Sequence, residues 1–347
     1  MASNRLSEDL EYILERTRDL WGEMRGGRLF VTGGTGFFGT WLLESFCRAN
    51  SEFGLGASAT VLTRNPEAFV AKAPHLAADP AFRFHVGDVR SFGFPAGEFT
   101  HVIHAATPAS ATLNDQSPLV MLDTIVEGTR RTLDFAVEAG AGKFLLTSSG
   151  AVYGAQPPDL THIPETYRGG PDTMSPGSAY GEGKRVAELL CAIYHRQHGI
   201  QTKIARCFAF VGPHLPLDKH FAIGNFIRDQ LRGEPLRIQG DGTPYRSYLY
   251  AADLAVWLWT ILFRGPACTP FNVGSEDAHT IREVAEAVTA ALGAPQPVAV
   301  SRAAPEGGPR QRYVPSTQAT RALLGLGPGV PLPDAIRKTA AWYEEER

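Results

Sequence analysis

Two short runs carry the residue types best suited to chemistry. One is Tyr180-Gly-Glu-Gly-Lys184, and the other is Thr147 to Gly154, TSSGAVYG. A spacing of four places the phenol and the ammonium on one face of a helix. A lysine there, with the positive charge of an oxidised nicotinamide nearby, favours the phenolate and lowers the tyrosine pKa. A tyrosine so tuned removes a proton from an alcohol as hydride leaves the same carbon. The hydroxyl of Ser149, opposite, would hydrogen-bond the same oxygen and steady it. Tyr-x-x-x-Lys alone is a common helical pattern, so its meaning depends on what precedes it.

What precedes it is Arg28 to Gly39, RLFVTGGTGFFG. An apolar run suits a buried parallel strand, and a helical pattern starts after the glycines, with Phe38, Leu42, Leu43 and Phe46 on one face. Gly33 permits a tight turn, Gly36 lets the backbone approach a pyrophosphate, and Gly39 allows close helix packing. The anion would sit on free amides at the helix N-terminus. With this corner upstream and a Ser-Ser strand end between, the catalytic reading of Tyr180 and Lys184 prevails.

Further strands are expected at Ala59–Thr63, Phe82–Val86, His101–Ala106, Lys143–Thr147 and Lys203–Phe208, with a helix over Thr124–Glu138. Strands alternating with helices imply an α/β fold, a doubly wound parallel sheet of Rossmann type with ligands at the strands' carboxyl ends. Later helices are expected at Asn225–Leu231, Ala252–Phe263 and Ile281–Leu292, and an amphipathic helix precedes the first strand. Pro157 to Gly177 is rich in Pro, Gly and Asp and is expected to be a long loop. The expected division is a helical extension over 1–26, a dinucleotide-binding domain over 27–209 and 246–275, and a smaller discontinuous α/β substrate lobe over 210–245 and 276–347.

A chain of 347 residues can bury a large core, and a net charge of −3 offers no basic field for nucleic acid or membrane. Four scattered cysteines, with no metal-ligand spacing, suit thiols in a reduced cytoplasmic setting. No secretory signal and no transmembrane span are expected. The second strand ends Leu62-Thr63-Arg64, without an acid for a ribose 2′-OH. An arginine there suits a 2′-phosphate, so the expected cofactor is NADP, with NAD the alternative.

Taken together, the glycine corner, the Ser-Ser strand end and Tyr-x-x-x-Lys resemble an extended short-chain dehydrogenase/reductase of the NAD-dependent epimerase/dehydratase family, over residues 27–325. The resemblance implies that Gly33, Gly36, Phe37, Phe38 and Gly39 bind the cofactor with Arg64, Asp88, Val89, Ala105 and Ala106, Asp88 lying beside the adenine. It implies Ser149, Tyr180 and Lys184 as catalytic triad, and a nucleotide-diphosphate sugar held by Thr107, Ser149, Arg206, Asn225, Arg246 and Arg310. Arginine suits the diphosphate because its planar fork bonds phosphate oxygens in pairs. It also implies a homodimer through helices near Asp123–Glu138 and Tyr180–Gln197.

Departures narrow the reaction. Members that dehydrate at C5 and C6 carry an Asp-Glu pair after the catalytic hydroxyl residue; Gly150 and Ala151 stand there. Members that epimerise at C3 and C5 place a cysteine in this turn, also absent. What survives is C4 epimerisation, or NADPH-dependent reduction of a 4-keto-6-deoxy sugar. A basic residue near His220 donates a proton in some relatives, which makes His220 a possible acid/base. A non-catalytic nucleotide-binding protein is the remaining alternative, and the intact triad argues against it.

Overall fold

The computed structural model describes residues 5–107, 110–219, 221–293, 295–303 and 310–344. It starts with α1 (Ser7–Thr17), then β1 (Arg28–Thr32), whose glycine corner leads into α2 (Phe37–Glu52). There follow β2 (Ser58–Thr63), α3 (Pro66–Lys72), α4 (Pro74–Ala77), β3 (Phe82–Val86), β4 (His101–His104), α5 (Ala111–Gln116), α6 (Pro118–Glu138), β5 (Lys143–Ser149), α7 (Ala179–His198) and β6 (Gln201–Cys207). Next come β7 (Phe210–Val211), α8 (Ala222–Leu231), β8 (Leu236–Ile238), β9 (Tyr245–Arg246), β10 (Leu249–Tyr250), α9 (Ala251–Arg264) and β11 (Pro270–Val273). The chain finishes with β12 (His279–Thr280), α10 (Ile281–Leu292), β13 (Val298–Val300), β14 (Arg312–Tyr313), α11 (Gln318–Leu324) and α12 (Leu332–Glu344).

Seven strands make one parallel sheet in the order β11-β6-β5-β4-β1-β2-β3. Chain direction across the sheet reverses between β1 and β4, the switch point at which doubly wound sheets bind ligands. Register brings Val31 opposite Val61 on one side and Ile103 on the other. The sequence pattern points to six of these seven strands. β11 is short and opens on Pro270, which a strand tolerates at its first residue on a sheet edge.

Each face of the sheet has its own packing. On one, α9 is buried along its length and α1 closes over it, with Trp21 and Trp259 ring centroids 4.7 Å apart. On the other, α6 and α7 cover Phe30, Phe99, Phe135 and Phe144, all buried. α6 begins at Pro118 rather than Thr124, because proline at the first helical position has no amide left unpaired. α7 ends where Gly199 adopts φ 73, the left-handed cap that glycine takes without a Cβ clash.

The remaining elements form a smaller lobe at the strands' carboxyl end. β9 lies between β12 and β14, β8 pairs with β13, and α10 and α12 pack together and on α8. A capping box of Thr280 and Glu283 starts α10. The 157–175 segment is loop, tied to the lobe where Ile163 bridges Pro315, and Pro176–Ser178 forms a short 3-10 turn.

Candidate active site

The glycine corner has the shape of an anion cradle. Gly33 sits at φ 72, and a Cβ there would come 2.4 Å from the Ala105 carbonyl oxygen. A Cβ at Gly39 would meet the Gly33 oxygen at 2.3 Å, so α2 packs on the turn only through glycine. Gly36 differs: its one neighbour is the Gly33 oxygen at 3.4 Å, and the rest of that side is open. The first amides of α2, at Phe37 and Phe38, have no acceptor within the helix. These are the features that a dinucleotide pyrophosphate needs. Across the switch point the Ala106 amide donates to Thr32 Oγ1 at 3.2 Å, pinning the turn after β4. Val89 lies against Gly128 of α6.

At the ends of β2 and β3, Arg64 is exposed and Asp88 is committed to Arg90, whose Nε donates to it at 2.9 Å. The Arg90 hydrogen bonds hold Asp88 below the usual carboxylate range, and the Arg64 charge adds to the effect. No carboxylate stands at the end of β2.

Ser149 at the end of β5 and Tyr180 and Lys184 on the first turns of α7 converge on the switch point. Lys184 Nζ donates to Thr107 Oγ1 and to the Thr147 carbonyl, both at 2.7 Å, and lies 6.0 Å from the Tyr180 ring centroid. Burial pulls the ammonium pKa down to about 8. The expected lowering of the Tyr180 pKa counts on the charge of an oxidised nicotinamide together with that of Lys184. Burial raises the phenol above its ordinary value, opposed by its hydrogen bond with Ser149. Lys184 gives two of its protons to the strand ends, which fixes its charge beside the Tyr180 ring. Asn114, missed in the sequence, accepts from the Tyr180 amide at 3.0 Å and donates to the Gly177 carbonyl at 2.7 Å, fixing the start of α7.

Gly150 is more than the loss of an acid. A Cβ there would strike Phe208 Cζ at 2.7 Å and the Tyr313 hydroxyl at 2.8 Å. Tyr313, from the lobe strand β14, was not anticipated either, and its hydroxyl lies 3.4 Å from Ser149 Oγ.

Arg206 requires a correction. Expected among the substrate contacts, it is instead an internal strut: Nη2 meets Glu188 Oε2 at 2.7 Å, and Nη1 donates to the Tyr153 hydroxyl at 2.9 Å. Both side chains of the pair are largely buried, and Glu188 also accepts from Ser148 Oγ at 2.5 Å. Burial disfavours the guanidinium charge, but the Glu188 carboxylate more than offsets this and raises the Arg206 pKa.

The lobe arginines gather differently. β14 lies alongside β9 with Tyr313 opposite Arg246, so Arg246, Arg310 and the unanticipated Arg312 surround Tyr245. Asn225 on α8 accepts from Arg228 at 3.2 Å. His220 lies outside the described residues. Among the described residues no group of acids, histidines and cysteines could hold a metal ion, and no helix is long and apolar enough to cross a membrane.

Comparison with known proteins agrees with this geometry. The sequence model of the NAD dependent epimerase/dehydratase family matches residues 29–274. A UDP-glucuronic acid decarboxylase of Arabidopsis thaliana is 33% identical over 309 residues, spanning 89% of this chain and 86% of the plant protein. One from Xenopus tropicalis is 30% identical over 320 residues, spanning 92% of this chain and 72% of the frog protein. A dTDP-glucose 4,6-dehydratase from Streptomyces venezuelae, solved with NAD bound, superposes with TM-score 0.79 at 28% identity, over 92% of this chain and 98% of that one. A UDP-glucuronic acid 4-epimerase from Bacillus cereus gives TM-score 0.77 at 21% identity, over 92% of this chain and 100% of that one, a likeness of fold. The chain therefore belongs to the NAD-dependent epimerase/dehydratase family, the nucleotide-sugar-modifying enzymes of extended short-chain dehydrogenase/reductase type.

Proposed function

We propose that this enzyme acts at C4 of a nucleotide-diphosphate hexose, as a 4-epimerase. The observation that carries the reading is the joint placement of Ser149, Tyr180 and Lys184 at the switch point, beside a turn with no acid at 150 or 151. A bound nicotinamide supplies a reversible acceptor for hydride from the sugar carbon. Ser149 holds the C4 oxygen, and Tyr180 takes its proton and later returns it. The Lys184 ammonium, fixed on Thr107 and Thr147, lends the positive charge that favours the phenolate. Arg246 and Arg310, with Arg312, offer the diphosphate a cationic wall on the lobe side. Asn225, with Thr107, is assigned to the sugar-nucleotide side of the site. For the cofactor, an exposed Arg64 and no acid at the end of β2 support NADP over NAD.

A second reading follows from the decarboxylases among the curated relatives. Oxidation at C4 of a uronic acid makes the C5 carboxylate a β-keto acid; loss of carbon dioxide would leave an enolate that takes a proton at C5 from water, after which hydride returns to C4. Incubation with a panel of UDP- and dTDP-linked hexoses and UDP-glucuronic acid, read by NMR and mass spectrometry, separates the two. A product of unchanged mass with inverted C4 supports the epimerase; loss of carbon dioxide supports the decarboxylase. Stoichiometric consumption of NADPH with a 4-keto sugar would mark a reductase instead. No change at C4 in any substrate would sink the proposal.

A further inference from the structure

The Ser149 hydroxyl has one proton and two lone pairs. One lone pair is taken, because the Ala151 amide donates to it at 3.1 Å, and the hydroxyl also hydrogen-bonds Tyr180, on the side where substrate would enter. The Tyr313 hydroxyl lies 3.4 Å from the same oxygen, where either group could donate, and within 3.5 Å of the Cys207 carbonyl, to which only the tyrosine can donate. Contacts of this kind are often long in the free enzyme and tighten in the complex. Tyr313 is not held there by chance packing at a loop tip. Its ring lies 4.7 Å from that of Phe208, and the Arg246 guanidinium is 5.8 Å from its centroid. β14, which carries it, is hydrogen-bonded to β9, so the residue moves with the lobe arginines while Ser149 belongs to the main sheet. Burial pushes the phenol pKa up, which keeps the O–H intact for donation near neutral pH.

We infer that Tyr313 is a positioning residue of the site: its O–H fills the second lone pair of Ser149 and leaves the serine proton to face the substrate oxygen. The inference rests on the C4 reading above and adds to it a dependence on lobe seating. When β14 sits against the end of β5, Ser149 is an obligate donor to the substrate. When it does not, the serine proton has several other directions open to it.

The test is a cycle of Tyr313→Phe, Ser149→Ala and the double variant. Tyr313→Phe keeps the ring and its tilted packing against Phe208, so it removes the hydroxyl alone. In the wild-type background it should lower kcat about 5- to 30-fold with KM within about twofold. In the Ser149→Ala background it should change kcat by less than about twofold, because its effect acts through the serine. An equal fall in both backgrounds, or no fall in either, overturns the inference. Should the wild type turn over no nucleotide sugar, the C4 reading fails separately. The same cycle read as urea-unfolding midpoints then decides the contact: non-additive shifts uphold it, and additive shifts overturn it.

Discussion

Replacing Glu188 by Gln tests whether Arg206 is a strut or a substrate ligand. Glu188 lies one turn beyond Lys184 on α7 and is the meeting point of four hydrogen bonds. Arg206 Nε donates to its two oxygens at 3.0 and 3.3 Å, Nη2 at 2.7 Å, and Ser148 Oγ at 2.5 Å. The amide removes the charge and one acceptor while the guanidinium stays buried, with 14% of its side chain exposed. Arg206 then keeps the Tyr153 hydroxyl at 2.9 Å and the Glu165 carbonyl at 3.3 Å, neither of them charged. Breaking a buried pair from one side costs about 3–5 kcal/mol, and Gln retains one acceptor, so about 2–4 kcal/mol is expected. The assay is urea unfolding, where a lower midpoint at constant slope reports lost stability. Freeing Ser148 also loosens its neighbour Ser149, and misplacement of about 1 Å can cost about 100-fold in turnover. The expected pattern is thus reduced stability and reduced kcat with KM changed by less than about threefold. An unchanged unfolding midpoint together with a large change in KM would refute the argument and return Arg206 to the substrate. Replacing both partners by Met should recover part of the lost stability, since an apolar pair leaves no stranded charge.

Tyr180→Phe should leave the fold intact while kcat falls about 10²- to 10⁴-fold, roughly 3–5 kcal/mol of barrier, and activity within about threefold of wild type would remove its acid–base role. Arg246→Ala should raise the KM for the nucleotide sugar far more than it lowers kcat, because a diphosphate clamp holds ground and transition states alike; steady-state kinetics with an unchanged KM would place it outside the site. Lys184 titrates near 8 when folded against an ordinary 10.5, so between those values the unfolded chain binds more protons and stability should rise with pH. Over the same window kcat/KM should fall as the ammonium is lost, and a flat pH–rate profile from 7 to 10 contradicts this. Leu119, Leu189 and Ile193 are exposed on α6 and α7 at 71%, 59% and 37%, so a homodimer through this face is expected by light scattering. Leu189→Glu should yield the monomer mass; a monomer already in the wild type would count against the dimer.

What the sequence made legible is what is settled within a few residues. The glycine corner shows in the spacing of positions 33 to 39, although Gly33 also meets Ala105 after β4, and Tyr180 and Lys184 share a face because a helix repeats. What it concealed depends on partners far along the chain. Arg206 looked like a substrate contact because its counter-charge is 18 positions away on another element. Tyr313 carried no signal, since a two-residue strand has no periodicity and its hydroxyl meets an oxygen 164 positions distant. Gly150 shows the two kinds of information acting on one residue. The sequence reveals a missing acid, which alone would leave open whether an acid could be restored. The structure shows Phe208 and Tyr313 standing where its side chain would go. A carboxylate placed there meets the Phe208 ring and the Tyr313 hydroxyl, and burying an unpaired charge against them is costly. Position 150 is thus closed to an acid by packing as well as by the absence of a suitable side chain.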